Sequence, residues 1–177
     1  MTKMESNTWQ PQWSESEQTV FRDFGHAAFT AQMLEASIVQ ILLAVNFRDF
    51  MNGRVGTEFD IDAAMERKTL GQLIQVLGRY KLIDTDLTEI LRDALDARNE
   101  LIHRFFITNS EFVTEQGRSQ MLKRLSELRF RIGRAQVVFS QIREKSYESF
   151  FGITKEKAET LYQEHVAKES ARNQETL

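Results

Sequence analysis

The chain has 177 residues, no cysteine, and a formal charge of −3 from 23 Lys and Arg against 26 Asp and Glu. That length suits one domain able to remove roughly 70% of its unfolded surface from water, and the missing cysteine excludes disulfide scaffolds, thiolate zinc sites and cysteine nucleophiles. One proline, eight glycines and long runs of Leu, Ala, Glu, Gln, Arg and Lys leave no alternating strand pattern, so the expected class is all-α.

In chain order, residues 1–16 are polar, carry Trp9, Pro11 and Trp13, and show no sustained period; they are expected to form a flexible arm. A first long helix is expected from about Glu17 to Met51, broken by Asn52-Gly53-Arg54-Val55-Gly56, with a loop reaching Thr69. A short helix follows from Leu70 to about Tyr80. Asp84 or Thr85 can cap the next helix, which opens with Asp86 and Glu89 and ends with Arg98, His103 and Arg104, the polarity that the helix dipole favours. After a polar break at Thr108-Asn109-Ser110, a long helix is expected from about Gln116 to Phe150. Gly152 should end it, and Thr154 should cap a last amphipathic stretch to about Lys168. The expected organisation is one bundle domain over 17–168 and a frayed tail over 169–177.

Three helices carry apolar residues at spacings of four and three, the pattern of side-by-side packing in an antiparallel four- to five-helix bundle. The seams are Phe24, Ala28, Ala31, Glu35, Ile38, Leu42, Val45; Leu87, Leu91, Ala94, Arg98, Leu101, Phe105; and Met121, Leu125, Leu128, Ile132, Ala135, Phe139, Ile142. Phe130 and Val137 fall on the opposite face of the last helix, which calls for a second contact there, either another helix or another copy of the chain. The longest apolar run, Ile41 to Val45, is far below the ~20 residues that span a bilayer, and the N-terminus lacks a basic-then-apolar signal pattern. A cytoplasmic protein without membrane association is the expectation.

Two seams each hold one charged residue. Charges at core positions are costly unless compensated, so Glu35 and Arg98 are expected to pair across the core. At about 100° per residue, His103 falls about 140° from Arg98 around the helix, on an edge shared with Asn99. The segment from Gln116 to Lys145 is locally basic, with eight cations against Glu127 and Glu144. Its Arg118, Lys123, Arg124, Arg129, Arg131 and Arg134, together with Arg104, are candidate phosphate contacts.

The run Ala97-Arg98-Asn99-Glu100-Leu101-Ile102-His103-Arg104-Phe105-Phe106 places Arg, a polar residue, three more residues and His near the end of a helix. It resembles the Arg-x4-6-His motif of the HEPN superfamily, helical bundles that include many RNA-cleaving toxins, over residues 20–150 or so. The resemblance implies a homodimer in which the Arg and His of two protomers converge in a shared cleft, with an acidic residue of the first helix belonging to the site. It also implies an RNA substrate, a toxin-antitoxin, phage-defence or RNA-processing setting, no metal and no cofactor. An antitoxin or other protein partner follows from the same resemblance. Toxins regulated by adenylylation carry Tyr two residues after the histidine; Phe105 stands there in this chain and has no hydroxyl to modify.

RNA can be cut without metal when its 2′-hydroxyl attacks the adjacent phosphate, given a proton acceptor, a proton donor and positive charge for the phosphorane. His103 suits general acid/base work. Arg98 suits the transition-state clamp, because its planar fork holds two phosphate oxygens and remains charged. Asn99 would orient phosphate or imidazole. The same chain also fits a non-catalytic HEPN-like scaffold or regulator, or a transcription regulator laying its basic helix on DNA. His26 and His165 show no ligand spacing, Gly71 and Gly78 make no phosphate loop, and Asp60 and Asp62 suit a turn.

Overall fold

The computed structural model describes residues 13–52 and 69–154, together with residues 156, 157, 159, 160, 163, 164 and 167. Among the described residues, the chain forms helices α1 (Glu15–Met51), α2 (Leu70–Arg79), α3 (Thr85–His103), α4 (Phe105–Thr108) and α5 (Glu115–Phe151), with a 3₁₀ turn over Ser110–Val113 ahead of α5, and helical residues recur after Thr154. No strand is present among the described residues, in keeping with the all-α expectation.

Local chemistry sets the helix ends. Ser14 and Glu17 form a reciprocal cap: the Ser14 N–H and hydroxyl each donate to Glu17 Oε2 at 2.7 Å, and the Glu17 N–H donates to Ser14 Oγ at 3.4 Å. Those bonds hold the Glu17 carboxyl below its ordinary value, and they start α1 two residues earlier than expected. The end of the expected arm is ordered: Trp13 packs edge-on against Phe21 and Phe112, with centroids 5.1 and 6.3 Å away. Trp9, with the expected loop over 53–68, His165 and the 169–177 tail, lies outside the described residues. Thr69 and Gln72 cap α2, Asp84 caps α3 through the Leu87 N–H, and Thr114 caps α5 through the Gly117 N–H. Gly152 closes α5 at φ 62°, the left-handed conformation that a residue without Cβ adopts cheaply. The Lys157 N–H donates to Thr154 Oγ1 at 3.4 Å, the cap expected there.

Helix directions follow from the contacts. Arg118 Nε donates to Ser16 Oγ at one end, and Phe47 meets Phe151 at 5.1 Å at the other, so the 37-residue helices α1 and α5 run parallel. Phe24 against Phe105, with Glu35 against Arg98, makes α3 antiparallel to α1; Glu100 against Arg124, with Asp93 against Arg131, makes it antiparallel to α5. The expected antiparallel packing holds for α3 against α1 and α5 but not between α1 and α5. The chain returns through α3 between its two longest helices, which leaves those two pointing the same way.

The expected seams form the core. Leu91, Ala94, Leu101 and Phe105 are buried, as are Met121, Leu125, Leu128, Ile132, Ala135 and Phe139 on α5. The core divides into two clusters. One joins Leu34, Ile38 and Leu42 to α2 and the first half of α3; the other joins Val20, Ala27 and Ala31 to Ala97, Leu101, Phe105 and the first half of α5. Over Glu15–Asp49, α1 also holds an 18-residue window of mean hydropathy 1.6, so by length and composition it could cross a bilayer, which the short run Ile41–Val45 did not suggest. Half of that window is buried inside the bundle, against α5 and α3.

Candidate functional site

Glu35 and Arg98 sit where one core cluster gives way to the other, between Ala31 and Leu34 on α1 and between Ala94 and Ala97 on α3. Small alanines leave room there for two long polar side chains. Arg98 Nε lies 3.3 Å from Glu35 Oε1, and the side chains keep 21% and 26% of their exposure. Glu35 Oε1 is buried with no hydrogen-bond partner among the described residues, so the guanidinium is its counter-charge. The pairing expected from helical phase is present at the edge of the core.

From that anchor Arg98 reaches around its own helix. Its Nη1 lies 3.4 Å from His103 Nε2 and 3.4 Å from Asn99 Oδ1. Arginine has only donors, so in this contact Nε2 can only be the accepting atom. The 140° offset that puts Arg98 and His103 on different faces is bridged by the length of the arginine stem. His103 is exposed and is the last residue of α3. The helix breaks at Arg104, with φ −128° and ψ −21°, and restarts as α4. Phe105 is buried and packs on Phe24 at 5.9 Å, filling the seam position.

On the other side of Asn99 a cleft of about 340 Å³ runs between α3 and α5, lined by Asp96, Asn99, Glu100, Arg104 and Arg131. Its walls are tied by ion pairs. Arg124 Nε donates to Glu100 Oε1 at 2.6 Å, its Nη2 contacts Glu100 Oε2, and its Nη1 donates to Glu127 at 2.7 Å. Arg131 holds Asp93 at 2.7 Å. The hydrogen bonds from Arg124 keep the Glu100 carboxyl below its ordinary value, against an opposing effect of burial and with help from the charges of Arg124, Arg131 and Arg104. The same bonds raise the Arg124 pKa.

These pairs alter the reading of the basic segment. Arg118 is spent on Ser16 and on the Phe112 carbonyl, Arg124 on Glu100 and Glu127, and Arg131 on Asp93, so half of the six cations singled out on α5 hold the fold together. Lys123, Arg129, Arg134 and Arg104 are exposed, and among the described residues none of their side chains hydrogen-bonds or ion-pairs with Arg98 or His103. Asp93 and Glu100, seven positions apart and so on one face of α3, were the sequence signal for this neutralisation. No family model, curated protein or solved structure matches the chain.

Proposed function

We propose that the chain is a HEPN-type, metal-independent endoribonuclease whose site is completed in a cleft between two copies. The observation that carries this reading is the Arg98 guanidinium, anchored from behind by Glu35 and lying 3.4 Å from the exposed His103 Nε2. Glu35 uses the Nε edge, which leaves Nη1 directed at both the imidazole and Asn99. A phosphate entering beside His103 takes the place of these weak 3.4 Å contacts and receives the guanidinium fork. His103 Nε2 takes the proton from the 2′-hydroxyl. A second histidine from the other copy protonates the leaving 5′-oxygen, and Arg98 stabilises the phosphorane. Arg104, next in the chain and lining the adjacent cleft, is placed for a flanking phosphate. Ile102 and Phe106, 43% and 40% exposed, give the histidine an apolar surround on which a second copy can close.

The test is cleavage of mixed RNA in excess EDTA by wild type and by His103→Ala. The reading requires products ending in 2′,3′-cyclic phosphate from the wild type, and loss of cleavage in a variant that keeps its fold. A well-folded wild type that leaves all RNAs intact favours the scaffold reading.

A further inference from the structure

Among the described residues, nothing covers the outer face of α5 at Phe130 and Val137. Phe130 and Val137 are 71% and 52% exposed. At about 100° per residue they share a stripe with Lys123, Gly133 and Glu144, all within about 60° of Phe130. Lys123 and Glu144 are exposed, and a Cβ at Gly133 would meet no atom within 4 Å. A shallow, open hollow of about 480 Å³ is lined by Phe130 itself with Gly133, Arg134, Gln136, Val137 and Val138. A large apolar side chain thus stands next to a depression floored by a glycine and a valine.

The stripe is complementary to itself when reversed. With a two-fold axis midway between Gly133 and Arg134, Phe130 of one copy lies over Val137 of the other and can enter the hollow beside it. Lys123 meets Glu144 at both ends, and Gly133 lets the helices approach at the centre. Arg134 falls opposite Gly133, where no side chain obstructs it, and its stem carries the charge out to solvent. Lys123 and Glu144 are 21 positions apart on one helix, about 31 Å, so they meet only between chains. Among the described residues Glu144 contacts Arg143 through Oε1 at 3.5 Å, which leaves Oε2 for the lysine. We infer that this face of α5 is a self-association surface, at which a second copy of the chain docks antiparallel through Phe130, Val137 and the Lys123–Glu144 pairs.

This contact is separate from a cleft at His103. In the register set by Glu100 with Arg124 and Asp93 with Arg131, His103 is about a dozen positions, roughly 19 Å, from the two-fold axis. Pairing through α5 leaves the two histidines far apart, so the inference stands or falls independently of the ribonuclease reading.

Charge reversal and cross-linking test it. By sedimentation equilibrium, Lys123→Glu and Glu144→Lys should each weaken self-association by about tenfold, because each sets like charges opposite one another twice, and the double variant should return to within about threefold of wild type. The chain has no native cysteine, so Arg134→Cys, beside the axis, should oxidise to a disulfide-linked dimer, while Arg129→Cys, about 100° off the stripe, should not. Single reversals without effect, a double variant no better than the singles, or an Arg134→Cys chain that stays unlinked would each overturn the assignment. RNA cleavage read on the same variants keeps this outcome apart from that of His103→Ala.

Discussion

Breaking the Glu35–Arg98 pair tests whether the site is held from within the fold. Each side chain retains about a quarter of its exposure, at 26% and 21%, so the pair lies between two regimes: exposed pairs contribute about 0–1 kcal/mol, while breaking a fully buried one costs about 3–5 kcal/mol. Glu35→Ala removes the counter-charge but leaves Arg98 close to Asn99 and His103. Arg98→Ala leaves Glu35 Oε1 buried with no cation and also removes the packing of the arginine stem. Each single change should therefore cost about 2–3 kcal/mol, lowering the thermal midpoint by roughly 5–10 °C for a domain of this size. The double change should cost less than the sum by about 1–2 kcal/mol, since once one partner is gone the other has no pair to lose. Urea denaturation of the four proteins at neutral pH measures that coupling. Additivity within about 0.5 kcal/mol refutes the pair as the anchor of the site.

Three further outcomes follow from the geometry. Gly117→Ala places a Cβ against the Glu111 carbonyl oxygen and 2.6 Å from its carbonyl carbon; the 3₁₀ turn must move and the Thr114 cap is strained, so chemical denaturation should show a loss of about 2–4 kcal/mol. Arg124→Ala should destabilise by about 1 kcal/mol at pH 7, a value kept small because the side chain is 37% exposed. The Glu100 carboxyl is held below its ordinary 4.5, so its contribution is present above that pH and fades as pH falls through the lower folded value. Stability curves of wild type and Arg124→Ala should therefore converge in acid, and a gap unchanged at pH 2.5 contradicts the assignment. Lys81, exposed at φ 53° in the turn joining α2 to α3, sits in a region unfavourable to residues with a Cβ; Lys81→Gly should raise stability by about 0.5–1 kcal/mol in thermal melts, and a fall shows that the lysine stem packs.

Much of the fold was legible because packing in a helical bundle writes itself into the sequence with a short period. The seam from Met121 to Phe139 is the buried face of α5, and the out-of-place charges at Glu35 and Arg98 find each other. What escaped depends on distances that no period encodes. Phase alone separates Arg98 from His103, and only the reach of a long side chain joins them. The basic segment looked like a phosphate-binding surface because its neutralising acids, Asp93 and Glu100, belong to another helix. The parallel course of α1 and α5 depends on where the intervening chain turns back. Ser14 and Trp13 escaped for a different reason: one cap and two aromatic contacts hold residues whose composition is that of an arm.

The central claim is that Arg98 and His103 act as a unit on RNA, and cleavage in EDTA by His103→Ala, Arg98→Lys and the double variant tests it most directly. Lysine keeps a positive charge for Glu35 but loses the fork, so the fold should survive while the clamp does not. The account predicts that each single variant loses at least about 100-fold in cleavage rate, and that the double variant is little worse than the poorer single. Cleavage at the wild-type rate by a folded His103→Ala protein would contradict it.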